Sequence, residues 1–161
     1  MKSVDLAAAH GLRWQCRAFE ALTSGQLYAA LRLRHAVFVV EQACDYLDLD
    51  GLDPKCDHLL AEDMQGSLVA CARILPPALK FDEPSIGRVV VAASHRGQGI
   101  GQVLMARAID AAAKAYTGQP VRISAQAHLE GYYGRFGFRA VGEVYDDEGI
   151  PHVDMLRAPG R

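Results

Sequence analysis

The chain has 161 residues, the size of one ordinary domain, and 50% of them are hydrophobic. Seventeen basic residues against nineteen acidic ones leave a formal net charge of −2, which excludes the basic excess of a general nucleic-acid binder. No apolar run approaches the ~20 residues of a membrane span, and the stretch from Leu6 to Ala9 is too short for a signal peptide. We therefore expect a cytoplasmic protein whose partner is neither nucleic acid nor a membrane.

The first forty residues predict a tail, a strand and a capped helix. Residues 1–12 are expected to form a loose tail, and residues 13–161 a single domain. Apolar and polar residues alternate from Trp14 to Phe19, as in a half-buried strand. A T-x-x-Q capping box begins at Thr23 ahead of an apolar-periodic stretch, which predicts a helix from about Ser24 to Val40.

The middle of the chain combines an acidic loop with three apolar strands. Residues 43–57 are predicted to form a loop because they hold a glycine, a proline and five aspartates: Asp45, Asp48, Asp50, Asp53 and Asp57. Strands are predicted over 58–62 and 68–75, as a hairpin, and over 85–93. The continuous run from Val89 to Val91 predicts that this last strand is buried on both faces.

The second half predicts a strong helix and a closing hairpin. Apolar residues recur at helical spacing over 102–116, and strand 121–127 and a short helix over 130–136 follow. Residues 141–145 and 153–157 are predicted to be the closing strands. Because strands and helices are mixed rather than strictly alternating, the class is α/β or α+β with a mixed sheet.

A glycine-rich turn from Arg96 to Gly101 lies between a predicted buried strand and the strong helix. Its three glycines allow the backbone to approach a ligand closely, and the amides at the start of the helix favour an anion. The chemistry indicated is pyrophosphate binding, and a turn that merely packs a helix on a strand is the alternative. A Walker A loop is excluded because Gln102 follows Gly101, and the G-x-G-x-G spacing departs from the Rossmann fingerprint.

Three ordered landmarks carry a resemblance to a known superfamily. Arg96, Gly99 and Gly101 match the pattern [Arg/Gln]-x-x-Gly-x-[Gly/Ala], Val91 lies five residues before that arginine, and an aromatic segment follows over 132–138. The sequence thereby resembles the Gcn5-related N-acetyltransferase (GNAT) superfamily. Segments over 37–42, 46–58, 125–129 and 149–152 resemble one branch, the ElaA family.

The resemblance implies a GNAT-type fold, a central mixed and mostly antiparallel sheet flanked by helices, with acetyl-CoA as co-substrate and no metal. It implies that Tyr133 protonates the departing thiolate, which a phenol of pKa ~10 can do for a thiol of pKa ~8.5. The residues implied to hold the co-substrate are Val89, Val90, Val91, Arg96, Gly97, Gln98, Gly99, Ile100, Gly101 and Gln102.

An amine acceptor must lose a proton, and a lysine-like amine of pKa ~10.4 is almost fully protonated at pH 7. The glutamate that some histone-acetylating members carry is replaced here by Ser85. The candidate bases are Glu41, His58, His128 and His152, and His128 is the first choice because it ends the strand before Tyr133. The alternative for His128 is a structural role, and for Glu41 it is binding of a cationic acceptor or plain solvation.

The acidic loop permits several interpretations. A calcium site of the EF-hand type fails because Tyr46 and Asp57 stand where Asp and Glu are required, and a zinc set of Cys44, Cys56 and His58 needs a coincidence of folding. We favour acceptor capture, with Asp48 and Asp50 attracting a cationic amine beside Glu41, His58 and His152, over a merely solvated loop.

Three functions remain open at this stage. The first is an acetyl-CoA-dependent N-acetyltransferase acting on a small-molecule amine or a peptide lysine. The second is an acyltransferase that uses a longer acyl donor, and the third is a CoA-binding module without catalysis, against which the presence of Tyr133 argues. The sequence leaves monomer and homodimer open.

Overall fold

The computed structural model describes residues 11–160. Its strands and helices are β1 (Arg13–Ala18), α1 (Ser24–Arg34), β2 (Asp57–Glu62), β3 (Leu68–Leu75), β4 (Ser85–Val91), α2 (Ile100–Ala115), β5 (Val121–Gln126), α3 (Glu130–Gly134), β6 (Phe138–Ala140), β7 (Tyr145–Asp147) and β8 (Ile150–Arg157). None of the described helices is long and apolar enough to cross a membrane.

One mixed sheet organises these elements, in the order β1-β2-β3-β4-β5-β8-β6, with β7 pairing with β8 in line with β6. Neighbouring strands are antiparallel except β4 and β5, which are parallel. These two strands are paired at one position only, Ser85 opposite Arg122. Beyond that position they separate, and the sheet opens into a cleft.

Two apolar clusters cover the two faces of the sheet. The larger contains the buried face of α2, including Leu104 and Ala108, and the smaller lies under α1 around Ala30 and Val37. Leu59 belongs to the first cluster and its neighbour Leu60 to the second. Strands covered on both faces need apolar residues at consecutive positions, which explains the near-continuous apolar sequences of β2 and β3.

Strand β4 contains a bulge at the edge of the cleft. Cys71 is paired with Val90 and Arg73 with Gly87, so β4 has one more residue than β3 between these two pairs. Arg88 takes a left-handed backbone with φ of +50°, an uncommon conformation for a residue with a side chain. The bulge bends β4 away from the regular ladder at the point where the cleft begins.

The predicted class and most predicted elements are confirmed. The Thr23 capping box is present, and a π-helical segment from His35 to Glu41 follows α1 directly, so helical backbone covers the whole of the predicted range 24–40. The strand predicted over 141–145 is wrong, because Gly142 has a φ of +94° and interrupts the extended backbone between β6 and β7. The predicted tail lies mostly in residues 1–10, which are outside the described part.

Candidate active site

The cleft between β4 and β5 has a volume of about 1070 Å³. Its wall includes residues from the π-helical segment, the acidic loop, the glycine-rich turn and the β7–β8 turn. The structure brings together in it six of the residues that the sequence analysis selected: Asp50, Val89, Arg96, His128, Tyr133 and His152. Of the remaining ones, residues 97–102 lie on the turn beside the cleft, Glu41 is exposed at the end of the π-helical segment, and the others are buried or half-buried.

The glycine-rich turn has the geometry of an anion-binding loop. Gly97 and Gly99 have φ values of +76° and +78°, and Gly99 is the N-cap of α2. A glycine cap has no side chain that could accept from the first amides of the helix, those of Ile100, Gly101 and Gln102. These donors, at the positive end of a 16-residue helix, suit a phosphate group.

Arg96 extends from this turn and forms a bidentate ion pair with Glu41, at the end of the π-helical segment. Both side chains are about 40% exposed, with 41% for Arg96 and 44% for Glu41. The hydrogen bonds from Arg96 lower the pKa of Glu41. Two residues that the sequence analysis assigned to different ligands therefore contact each other here.

The three valines of β4 face different surroundings. Val90 is buried in the smaller apolar cluster, whereas Val91 is half-buried against the larger one and Val89 lines the cleft. Neither Arg88 nor Val89 has a paired residue in β3 or β5 within the described chain. Backbone groups that are free of ladder pairing at this edge are available to an extended ligand in the cleft.

Tyr133 on α3 projects its ring into the cleft from the side of the larger apolar cluster. Its ring is in edge-to-face contact with Tyr132 at 5.2 Å and with Phe138 at 6.3 Å between centroids. Its hydroxyl has no hydrogen-bond partner among residues 11–160. Burial, and then the neighbouring Tyr132, raise the pKa of Tyr133 to about 12, so the phenol stays protonated at physiological pH.

The three candidate histidines have different environments. His128 is exposed and lines the cleft, on the short turn that joins β5 to α3. His152 lines it too, and its Nδ1 donates to the Ile150 carbonyl at 2.8 Å, so in the neutral ring Nε2 is free to accept a proton. His58 is 3% exposed, with Nε2 3.0 Å from the Asp53 carbonyl oxygen, and does not reach the cleft.

Aspartates of the acidic loop are paired with arginines rather than free. Asp48 is 3% exposed, accepts a hydrogen bond from Arg34 Nε at 2.9 Å, and is ion-paired with Arg88, whose Nε lies 2.7 Å from its Oδ1. Asp50, at the cleft, is ion-paired with Arg73 and with Arg88. The sequence analysis expected these two carboxylates to face an acceptor amine, and the structure instead buries Asp48 and satisfies Asp50 internally.

Asp53 completes this cluster by joining Arg34 at 2.6 Å to Arg73 at 3.2 Å. Although burial opposes ionisation, the hydrogen bonds from Arg73 hold the pKa of Asp50 well below its usual range. Burial alone would raise the pKa of Asp53, but the hydrogen bond from Arg34 outweighs this effect and lowers it. The three carboxylates are thus matched by three guanidinium groups from α1, β3 and β4.

None of the cysteines in the described part of the chain lines the cleft, so they offer it no nucleophile. Burial raises the pKa of the Cys56 thiol to about 11 and that of Cys71 to about 12. Over residues 11–160 we found no group of three histidine, cysteine or acidic side chains placed to hold a metal ion.

The residues present fit acyl-CoA as a bound group. The uncapped amides of α2 and the left-handed glycines suit the pyrophosphate of CoA. The separated strands leave room for its extended pantetheine arm. Tyr133, whose hydroxyl has no partner in the described part of the chain, lines the same cleft. Arg96, at the start of the turn, and Ser85, where β4 and β5 meet, line the same cleft as Tyr133.

The sequence analysis missed the arginines of the buried cluster and a hydrogen-bonded chain of Ser124, Tyr145 and Asp154 at the cleft. A signal for the first existed, because Arg73 and Arg88 each interrupt an otherwise apolar strand, and a buried arginine requires a carboxylate partner. No local pattern indicates the second, which joins residues from three strands.

Comparisons with known proteins agree with this geometry. The family described as "Acetyltransferase (GNAT) domain" matches residues 52–158. Protein ElaA of Escherichia coli strain K12 is 44% identical over 148 residues, covering 91% of this chain and 96% of that protein.

Solved structures give the same result. An acyl-CoA N-acyltransferase from Pseudomonas aeruginosa superposes with a TM-score of 0.88 at 49% identity, and the crystal structure of E. coli ElaA with 0.85 at 42%. In both cases the match covers 91% of this chain and 99% of the other. The chain belongs to the GNAT superfamily of acyl-CoA-dependent acyltransferases and, within it, to the ElaA family.

Proposed function

We propose that this protein transfers an acetyl group from acetyl-CoA to a primary amine, which attacks the thioester directly. The observation that carries the proposal is that one cleft is lined by a protonated phenol, two histidines and Arg96, the residue that opens the anion-binding turn. Acyl-CoA supplies an activated thioester and leaves as a thiolate. No cysteine lines the described cleft, which favours direct transfer over a thioester-linked enzyme.

The turn from Arg96 to Gly101 binds the pyrophosphate of CoA. The unpaired backbone of Val89 orients the pantetheine arm along β4. Tyr133 donates its proton to the thiolate. With a pKa of about 12 it is a weak acid, and full transfer to an ordinary thiolate in water would be uphill by ~5 kcal/mol. Burial of a thiolate in the cleft also raises its proton affinity, which reduces this difference.

His128 remains our first choice for the general base, and His152, also a candidate from the sequence, is the second. Both line the cleft, whereas Glu41 is ion-paired and His58 is buried. A neutral imidazole can accept the proton of an ammonium group near neutral pH, at a nitrogen that carries no hydrogen. In His152 that nitrogen is Nε2.

The experiment is an acceptor screen that reads thiol release from acetyl-CoA in the presence of spermidine, tryptamine or Nα-acetyl-lysine amide. Amine-dependent release, with the acetylated amine identified by mass spectrometry, supports the proposal. Faster release from octanoyl-CoA than from acetyl-CoA would overturn the assignment of the donor. Tight CoA binding without release from any donor would indicate a binding module instead.

A further inference from the structure

A chain of three hydrogen-bonded side chains ends in the wall of the cleft. Ser124 Oγ is hydrogen-bonded to the Tyr145 hydroxyl, which in turn donates to Asp154 Oδ1 at 2.7 Å. Asp154 Oδ2 receives Arg122 Nη1 at 2.9 Å. Of the three members, Ser124 is the one that lines the cleft, together with Tyr133 and His128.

Strand pairing, ring stacking and ion pairs hold the three hydrogen-bonded side chains in place. Ser124 and Asp154 are directly opposite each other on β5 and β8, so their side chains share one face of the sheet. Tyr145 lies on β7, and its ring stacks on His152 with centroids 6.1 Å apart and planes 27° apart. Arg122 is anchored by Glu83 as well as by Asp154.

The direction of the hydrogen bonds follows from the chemistry of the far end. An ionised carboxylate can only accept, so the Tyr145 hydroxyl must donate to Asp154. The same hydroxyl then has only lone pairs left for Ser124, whose proton must point toward Tyr145. Burial, together with the adjoining Asp154, raises the pKa of Tyr145 and keeps it a donor.

We propose that Ser124 is a binding site for an N–H group of the acceptor, and that Tyr145 and Asp154 fix its hydroxyl as a hydrogen-bond acceptor. Because its own proton is committed, Ser124 offers the cleft lone pairs only. A hydroxyl in this state attracts an ammonium or amine hydrogen and disfavours a carbonyl or carboxylate. The inference rests on the proposed function, since it names the group that recognises the amine.

Asp154→Asn tests the direction of the hydrogen bonds in this chain of three side chains, because asparagine has almost the same shape as aspartate. Arg122 donates to one side-chain oxygen, so the amide of the asparagine turns its NH₂ toward Tyr145. That group donates to Tyr145, Tyr145 donates to Ser124, and Ser124 then presents a hydrogen to the cleft. We expect KM for the amine to rise roughly 10- to 100-fold, as for the loss of a hydrogen bond to a charged group.

Glu83→Gln is the matched control, because it removes a carboxylate from the same arginine but does not touch the chain. We expect its KM for the amine to remain that of the wild type. Ser124→Ala should raise the same KM, and Ser124→Thr, which keeps the hydroxyl, should restore it. For all four variants the dissociation constant of acetyl-CoA, measured by titration calorimetry, should stay within about twofold.

The acceptor in these assays is the best of the three amines of the screen. Wild-type KM in Asp154→Asn, or an equal rise in Glu83→Gln, would overturn the inference while leaving the transferase activity intact. Absence of turnover in the wild type with every amine would instead overturn the proposed function. A fall in kcat alone, with unchanged KM for the amine, would assign the chain to stability of the hairpin and refute recognition.

Discussion

A single glycine of the anion-binding turn provides a sharp test of where CoA is held. Gly97 has a φ of +76°, and a side chain added there would have no atom within 4 Å. Gly118, in the turn after α2, has a φ of +77° and is equally open. Replacing either glycine by aspartate causes the same backbone strain, about 1–2 kcal/mol for a left-handed residue, so the effects on folding should match.

Only Gly97→Asp places a negative charge beside the expected pyrophosphate. Two unit charges 4 Å apart repel by ~1 kcal/mol in water and by ~4 kcal/mol at an effective dielectric constant of 20. Because the turn is exposed, we expect a value near the lower limit, about 1–2 kcal/mol. The dissociation constant of CoA should therefore rise roughly 5- to 30-fold.

Titration calorimetry with CoA at low and high salt measures this effect. Gly118→Asp should bind CoA like the wild type, and Gly97→Asn should lose much less affinity than Gly97→Asp because it adds no charge. Salt should narrow the difference between the two Gly97 variants, since exposed charges are screened. If Gly97→Asp binds CoA as tightly as Gly118→Asp, the pyrophosphate is not held at this turn.

Three further predictions concern the phenol, the arginine and the buried acids. Tyr133→Phe should lower kcat about 10²- to 10⁴-fold with little change in acetyl-CoA affinity, measured by steady-state kinetics and calorimetry; wild-type turnover would remove Tyr133 from the mechanism. Glu41→Gln should tighten CoA binding by roughly two- to fivefold because it releases Arg96 from its ion pair, and weaker binding would show that the pair positions Arg96 instead. Because the pKa values of Asp50 and Asp53 are lowered, these two residues contribute a free energy of unfolding that is fully present above about pH 5 and is lost as the pH drops below about 4; Asp50→Asn should reduce the acid slope in urea titrations, and an unaltered slope would contradict this.

The fold and the anion-binding turn were predictable because their signals are local. Capping at Thr23, helical periodicity over 102–116 and the glycines of the turn each act within a few residues, and the structure contains all three features. The order and spacing of Val91, the glycine-rich turn and the aromatic segment over 132–138 sufficed to recognise the family. Only the strand over 141–145 failed, where Gly142 outweighed the β-propensity of its neighbours.

The surroundings of the acidic loop could not be predicted, because they depend on residues distant in sequence. Asp48 contacts Arg34 and Arg88, which are 14 and 40 positions away along the chain. A sequence pattern shows that the loop carries many carboxylates, but it does not show which cations fold against them. The same limit applies to Ser124 and Tyr145, which meet only after three strands have paired.

The buried charges shape one wall of the cleft. The strained conformation of Arg88, which costs about 1–2 kcal/mol in a left-handed residue, persists only if its surroundings hold it. Asp48 and Asp50 form ion pairs with its guanidinium group. The pairing of Gly87 and Val90 with β3 fixes the backbone on both sides of it. The acidic loop therefore stabilises the bulge that turns β4 away from β5.

Because its aspartates are paired with arginines, the acidic loop adds little to the electrostatic potential in the cleft. Its three paired aspartates face three arginines, so the cluster as a whole carries no net charge: Asp48, Asp50 and Asp53 against Arg34, Arg73 and Arg88. Asp147 and Glu148 at the β7–β8 turn line the cleft without an ion pair among the described residues. Any attraction of the cleft for a cationic amine must therefore come from this turn and from oriented dipoles such as that of Ser124, rather than from the aspartates that dominate the sequence.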